Sequence, residues 1–173
     1  ALEKEITYVG EHLGGRRLQT VYVGGGTPTS LTEAQLERLF AMIEDHFPMD
    51  EVREYMVEAG RPDSITEGKL RCMRRHKVSR ISINPQSMKQ HTLDLLGRKH
   101  TTEQIRDVFQ LARKLGFDNI NMDLILGLPE ETLEDFKYTL SEVDQMGPDS
   151  ITVHTLVIKR ASRIRREKLE QGA

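Results

Sequence analysis

Each of five short apolar runs in this sequence ends in residues able to hold a ligand. The first, Leu18–Val23, breaks into Gly24, Gly25, Gly26 and Thr27, followed by Pro28 and Thr29. Three consecutive glycines leave backbone N–H and C=O groups uncovered, so a ligand can lie directly against them. The later runs end in Glu58, in Asn84 with Gln86, in Asp123 and in His154, and Arg98 stands in the loop that follows the third. Carboxylates accept hydrogen bonds from hydroxyls or an ammonium, and a guanidinium pairs bidentately with a carboxylate. The set suits a ligand that carries an ammonium, a carboxylate and vicinal hydroxyls.

Plainer readings compete with this one. The glycines also make an ordinary tight strand-to-helix turn. They are not a P-loop, because no Gly-Lys-[Ser/Thr] follows at the required spacing. Nor are they the dinucleotide fingerprint, since Thr29 stands where the third glycine belongs. Asp123 lies within an apolar strand, where an unpaired carboxylate is costly, so it reads as a ligand contact or a paired inner residue. Glu58 follows the same logic, whereas Gln86 alone decides nothing. His154 reads first as a rim histidine, and Arg98, beside Lys99 and His100, competes with a solvated loop. His12, His46, His76 and His91 fall on predicted helices and read as surface residues. Cys72, with apolar neighbours at helical spacing, reads as a buried structural thiol.

The elements that position these residues follow from periodicity. Leu2, Ile6, Val9 and Leu13 predict an opening helix that Gly14-Gly15 ends. Strand Leu18–Val23 leads to a helix over Leu31–Phe47, with Thr29 or Ser30 as its cap. Strand Glu54–Glu58 precedes a helix at about Ile65–His76. Strand Val78–Ile83, closed by Asn84-Pro85-Gln86, precedes a short helical piece and a longer helix at about Thr102–Leu115. Strand Asn119–Leu126, a helix at about Thr132–Met146 and strand Ser150–Leu156 complete the series; the basic stretch beyond Lys159 is expected to be a loose helix or a solvated tail. Strands beginning about 25–40 residues apart and alternating with helices predict an α/β chain of about five βα units with parallel strands. A closed eight-stranded barrel needs ~250 residues, so an open sheet or an incomplete barrel is expected.

Composition bounds the rest. With 173 residues, 37% apolar and 30% charged, the chain reads as one soluble domain. A net charge of −2 gives no reason to expect a nucleic-acid partner. No run approaches the ~18 apolar residues of a membrane helix, and the cytoplasm is the expected location. A single cysteine excludes internal disulfides, an iron–sulfur site or a Cys-rich zinc site within this sequence. No metal ligand and no catalytic residue is assigned.

Taken together these motifs resemble the radical S-adenosylmethionine (SAM) superfamily, in particular the branch around oxygen-independent coproporphyrinogen III oxidase. The matching pieces are Tyr22-Val23-Gly24-Gly25-Gly26-Thr27-Pro28-Thr29, Val57-Glu58-Ala59-Gly60-Arg61-Pro62 and Arg80-Ile81-Ser82-Ile83-Asn84-Pro85-Gln86-Ser87. They continue with Leu96-Gly97-Arg98-Lys99-His100 and Asn119-Ile120-Asn121-Met122-Asp123-Leu124-Ile125-Leu126-Gly127-Leu128-Pro129. The resemblance implies a partial (β/α)6 TIM-like barrel holding a [4Fe–4S] cluster with SAM on its open iron. By position, Gly24, Gly25, Gly26 and Thr27 would line the methionine moiety. Glu58, Gln86 and Asp123 would bind its ammonium or the ribose hydroxyls, Arg98 its carboxylate, and Val157 would lie on the adenosine side.

The family's Cys-x3-Cys-x2-Cys motif does not occur in this sequence. The chain therefore reads as a core fragment, with residues 1–15 as the end of a first crossover helix, and is expected to be inactive alone. The resemblance implies that its parent converts propionate side chains of a porphyrinogen to vinyl groups, with an electron donor for the cluster. A haem chaperone of the same branch and a cluster-free α/β nucleotide-binding enzyme are the alternatives.

Overall fold

In the computed structural model residues 1–157 are described, so the basic stretch 159–173 and its expected loose helix lie outside the described residues. The chain runs α1 (Leu2–Leu13), β1 (Thr20–Val23), α2 (Glu33–His46), β2 (Glu54–Gly60) and α3 (Glu67–Arg75). It continues through β3 (Arg80–Gln86), α4 (Gln90–Leu95), α5 (Thr102–Lys114), β4 (Ile120–Leu126), α6 (Leu133–Met146) and β5 (Ser150–Thr155). All strand pairs are parallel and the spatial order is β1-β2-β3-β4-β5. A doubly wound sheet reverses its strand order at a switch point; this sheet never reverses, so each crossover adds the next strand on the same side. That is the progression of a barrel wall, incomplete over the described residues.

The two faces of the wall differ in chemistry. Tyr55, Val57, Ala59, Ile81, Ile83, Ile120, Met122 and Leu124 form the outer face and share one buried cluster with Leu36, Phe40, Leu70, Met73, Ile105 and Phe109 of the helices. The register puts Tyr22, Glu58, Arg80, Ser82, Asn121, Asp123 and Thr152 on the opposite, inner face. Its lower half is a hydrogen-bonded polar layer. Arg80 donates to Glu54 (3.2 Å) and Ser150 (3.3 Å), while Ser150 (2.8 Å) and Thr152 (3.0 Å) donate to Asn121 Oδ1.

Two local expectations are corrected. α2 is capped by Thr32, whose hydroxyl accepts from Gln35 N–H while Gln35 reaches back, a reciprocal capping box. Thr29 and Ser30 belong instead to a 3-10 turn at Pro28–Ser30, and Thr29 is fully buried. Its hydroxyl bonds Ala59 C=O and Ser64 Oγ, and Lys69 Nζ ties this turn to a second at Pro62–Ser64. β3 also runs on to Gln86 rather than stopping at Ile83, because a register shift between Ile83 and Gln86 absorbs Pro85, which has no N–H to give to the ladder. Among the described residues no helix is long and apolar enough to cross a membrane.

Candidate SAM site at the strand ends

Parallel strands present their carboxyl ends to one rim, where ligands meet α/β folds. Glu58 is its centre. Its carboxylate accepts from the Tyr22 hydroxyl at 3.0 Å and from Asn84 Nδ2 at 3.3 Å. Tyr22 is itself pushed toward higher pKa by partial burial and then by Glu58 and Asp123, so all three groups share one field. Asp123 accepts from Asn121 Nδ2 at 2.6 Å. Burial raises its pKa, with Glu58 adding to the rise and His154 opposing it.

The glycines divide in their roles. A Cβ on Gly24 would strike the Tyr22 ring at 2.2 Å, so its bareness makes room for that ring. Gly25, at φ +105°, and Gly26 face open space. Thr27 is held by Gly60, at φ +71°, where an added Cβ would meet the Thr27 methyl at 3.0 Å.

β3 contributes two buried amides with unmet acceptors. Neither Asn84 Oδ1 nor Gln86 Oε1 has a partner, although both residues are more than nine-tenths buried. Gln86 also sits at φ +70°, a left-handed conformation that costs a non-glycine residue on the order of 1–3 kcal/mol and that clusters at functional sites.

Arg98 occupies a neighbouring loop cluster rather than the carboxylate centre. Burial, then Arg61, pulls its pKa below the usual guanidinium value, and Asp63 opposes them. Asp63 is held by Arg61 at 3.2 Å. Among the described residues no carboxylate lies within ion-pair distance of Arg98. His100, in the loop that one of the two readings of Arg98 takes as solvated, is fully buried, 3.6 Å from Asp63, with its pKa lowered mainly by burial. Val157 lies just past β5 and is exposed. The structure thus brings Glu58, Asn84 and Asp123 together, sets Gln86 beside them on β3, and leaves Arg98 and Val157 on flanking segments. Sequence reasoning missed Tyr22, whose place two residues before Gly24 puts it on the inner face with Glu58.

Rim, wall and glycine strip define part of a parallel β/α barrel with a ligand-binding rim. The Radical SAM superfamily model matches residues 2–143, and the chain belongs to that superfamily. Within it, the chain is 46% identical over 170 residues to the oxygen-independent coproporphyrinogen-III oxidase-like protein HemZ of Bacillus subtilis, covering 96% of this chain and 34% of that protein. It is 34% identical over 160 residues to the heme chaperone HemW of the same organism, covering 92% of this chain and 42% of the relative. The solved structure of coproporphyrinogen III oxidase (HemN) from Escherichia coli, a radical SAM enzyme, matches at a TM-score of 0.84 with 30% identity, over 99% of this chain and 42% of that one. The chain therefore spans between a third and a half of the length of these relatives.

The two family cofactors fare differently against these residues. SAM fits: open glycine backbone, two unmet amide acceptors, two carboxylates and an unpaired guanidinium match its sulfonium-bearing amino acid and ribose. The [4Fe–4S] cluster finds no ligand set here. Cys72, the one cysteine, is fully buried among the helices, and burial together with Glu37 pushes its thiol up to about 12.

Proposed function

We propose that this chain is the SAM-binding core of a cytoplasmic radical SAM oxidoreductase. The whole protein would convert coproporphyrinogen III propionates to vinyl groups, yielding protoporphyrinogen IX for haem biosynthesis. The cluster cysteines would lie in a part of that protein outside this sequence. The observation that carries the reading is the coincidence, on one rim, of open glycine backbone with the buried, unpartnered acceptors of Asn84 and Gln86. Cleavage of bound SAM by one electron from the cluster would supply a 5′-deoxyadenosyl radical. It would take a hydrogen atom from a propionate side chain, which would then release CO2 and pass one electron to an acceptor outside this sequence, leaving a vinyl group.

The residues of this chain bind and orient. Glu58, Gln86 and Asp123 take the ammonium and ribose hydroxyls, and Arg98 takes the carboxylate. Gly24, Gly25, Gly26 and Thr27 flank the methionine, with Val157 toward the adenosine.

Calorimetric titration of the folded chain with SAM is expected to show one site, weakened by Glu58→Gln and by Arg98→Ala. A folded chain that takes up no SAM overturns the reading. The full coding sequence is expected to hold a Cys-x3-Cys-x2-Cys motif, and its absence overturns the radical reading.

The identity shared with HemW supports a second reading, haem trafficking by the same branch. Haem titration and a decarboxylation assay on the full-length protein separate the two. Haem uptake without vinyl formation would sink the enzyme reading.

A further inference from the structure

The outer helical layer carries a second cluster, toward the amino ends of the strands. Cys72 and His76 stand four residues apart on α3 and its C-terminal cap, and a backbone bond from His76 N–H to Cys72 C=O (3.2 Å) keeps them on one face. The neighbouring α2 presents Glu37 and Glu44. His76 Nε2 lies 2.9 Å from Glu37 Oε1, and His76 Nδ1 lies 2.9 Å from Glu44 Oε1. The ligand atoms of Glu37, Cys72 and His76 all lie within 4.8 Å of one another. His76, expected at the surface, has a side chain only 11% exposed, and its ring packs on Phe40 at 5.2 Å.

We propose that Cys72 Sγ, His76 Nε2 and the Glu37 carboxylate bind one divalent metal ion of borderline softness, zinc in the cell. Glu44 orients the imidazole and a water takes the fourth position. Sulfur, nitrogen and oxygen donors together suit zinc, whereas magnesium and calcium take oxygen ligands alone. A metal-bound histidine almost always donates its other N–H to a carboxylate, a backbone carbonyl or water, and the Glu44 carboxylate already stands there. Arg75 holds Glu37 Oε2 at 2.6 Å and leaves Oε1 facing the site. Tetrahedral bonds of ~2.0–2.1 Å put oxygen and nitrogen donors about 3.3 Å apart, so Glu37 must withdraw by only a few tenths of an ångström. Glu37 and its partner Arg75 have side chains 46% and 61% exposed, so the pair can shift together.

Tyr55 gives an independent indication. It is 2% exposed, its hydroxyl has no hydrogen-bond partner, and it lines the same cavity as Glu44 and His76. The water proposed as fourth ligand would offer that hydroxyl a partner. Burial raises the Tyr55 pKa, with Glu44 and Cys72 adding to the rise.

The test is titration of the chain, without a histidine tag and under reducing conditions, with Co2+. One equivalent is expected to raise a thiolate-to-cobalt charge-transfer band that Zn2+ abolishes. Because the sequence holds a single cysteine, that band reports Cys72. His76→Gln should remove it, and Glu44→Gln should weaken binding ~10–100-fold. Glu37→Gln, on the exposed side, serves in place of His76→Gln if that variant does not fold, and should weaken the band. A folded wild-type chain without the band, or a band unaltered in the folded ligand variants, overturns the site. SAM binding plays no part in the readout.

Discussion

Asp123 lies in an apolar strand, half-buried, and accepts a hydrogen bond from Asn121. Its carboxyl is raised above the ordinary 3.8, chiefly by burial. The folded chain therefore binds more protons than the unfolded chain between 3.8 and the raised value, and stability falls as pH rises through that window. At neutral pH this cost is fully present. Asp123→Asn keeps an oxygen for Asn121 and removes the charge, so the free variant is expected to melt at a higher temperature than wild type at pH 7. The difference should close below the ordinary carboxyl value, as melting curves across pH will show. The same variant should bind SAM at least tenfold more weakly, because a hydrogen bond to a charged group contributes about 1.5–3 kcal/mol. Loss of stability together with unchanged binding would mark Asp123 as structural. The sequence exposed this residue because a carboxylate interrupts apolar neighbours. It hid His100 and His76, since nothing in a run such as Gly-Arg-Lys-His tells which side chain the fold turns inward.

The secondary elements owe their positions to signals of unequal visibility. Helical periodicity placed α2, α5 and α6 to within a few residues, because apolar faces repeat over several turns. The capping box at Thr32 was present in the sequence as Thr-x-x-Gln, yet the earlier Thr29 drew the expectation toward the glycines. The left-handed Gln86 and the bulge around Pro85 were not legible at all: they arise from tertiary pairing, which overrides local preference. Gly60 shows the same dependence, since only the folded pairing sets Thr27 against it. Gly60→Ala must adopt a positive φ and displace the Thr27 methyl. It should cost about 1–2 kcal/mol from the backbone alone, read by denaturant unfolding. Because Thr27 borders the glycine strip, SAM affinity should fall as well. A neutral substitution at Gly60 would mean the loop tolerates displacement.

For the molecule as a whole, alternation of strands and helices predicted parallel pairing but left open sheet and incomplete barrel equally available. Sequential strand order decides between them, and order is a property of how crossovers stack rather than of any residue. Among the described residues, β1 pairs only with β2 and β5 only with β4, so each presents an unpaired edge. Such edges template strand addition. The chain is expected to associate as its concentration rises, and a clean monomer by light scattering at high concentration would count against this. The same two edges bear on what the inner face can serve. A closed ring admits only guests smaller than its bore. A wall of five strands, open along one side over the described residues, imposes no such limit on bulk. Over the described residues the inner face is therefore reached from the open side of the wall as well as from the rim.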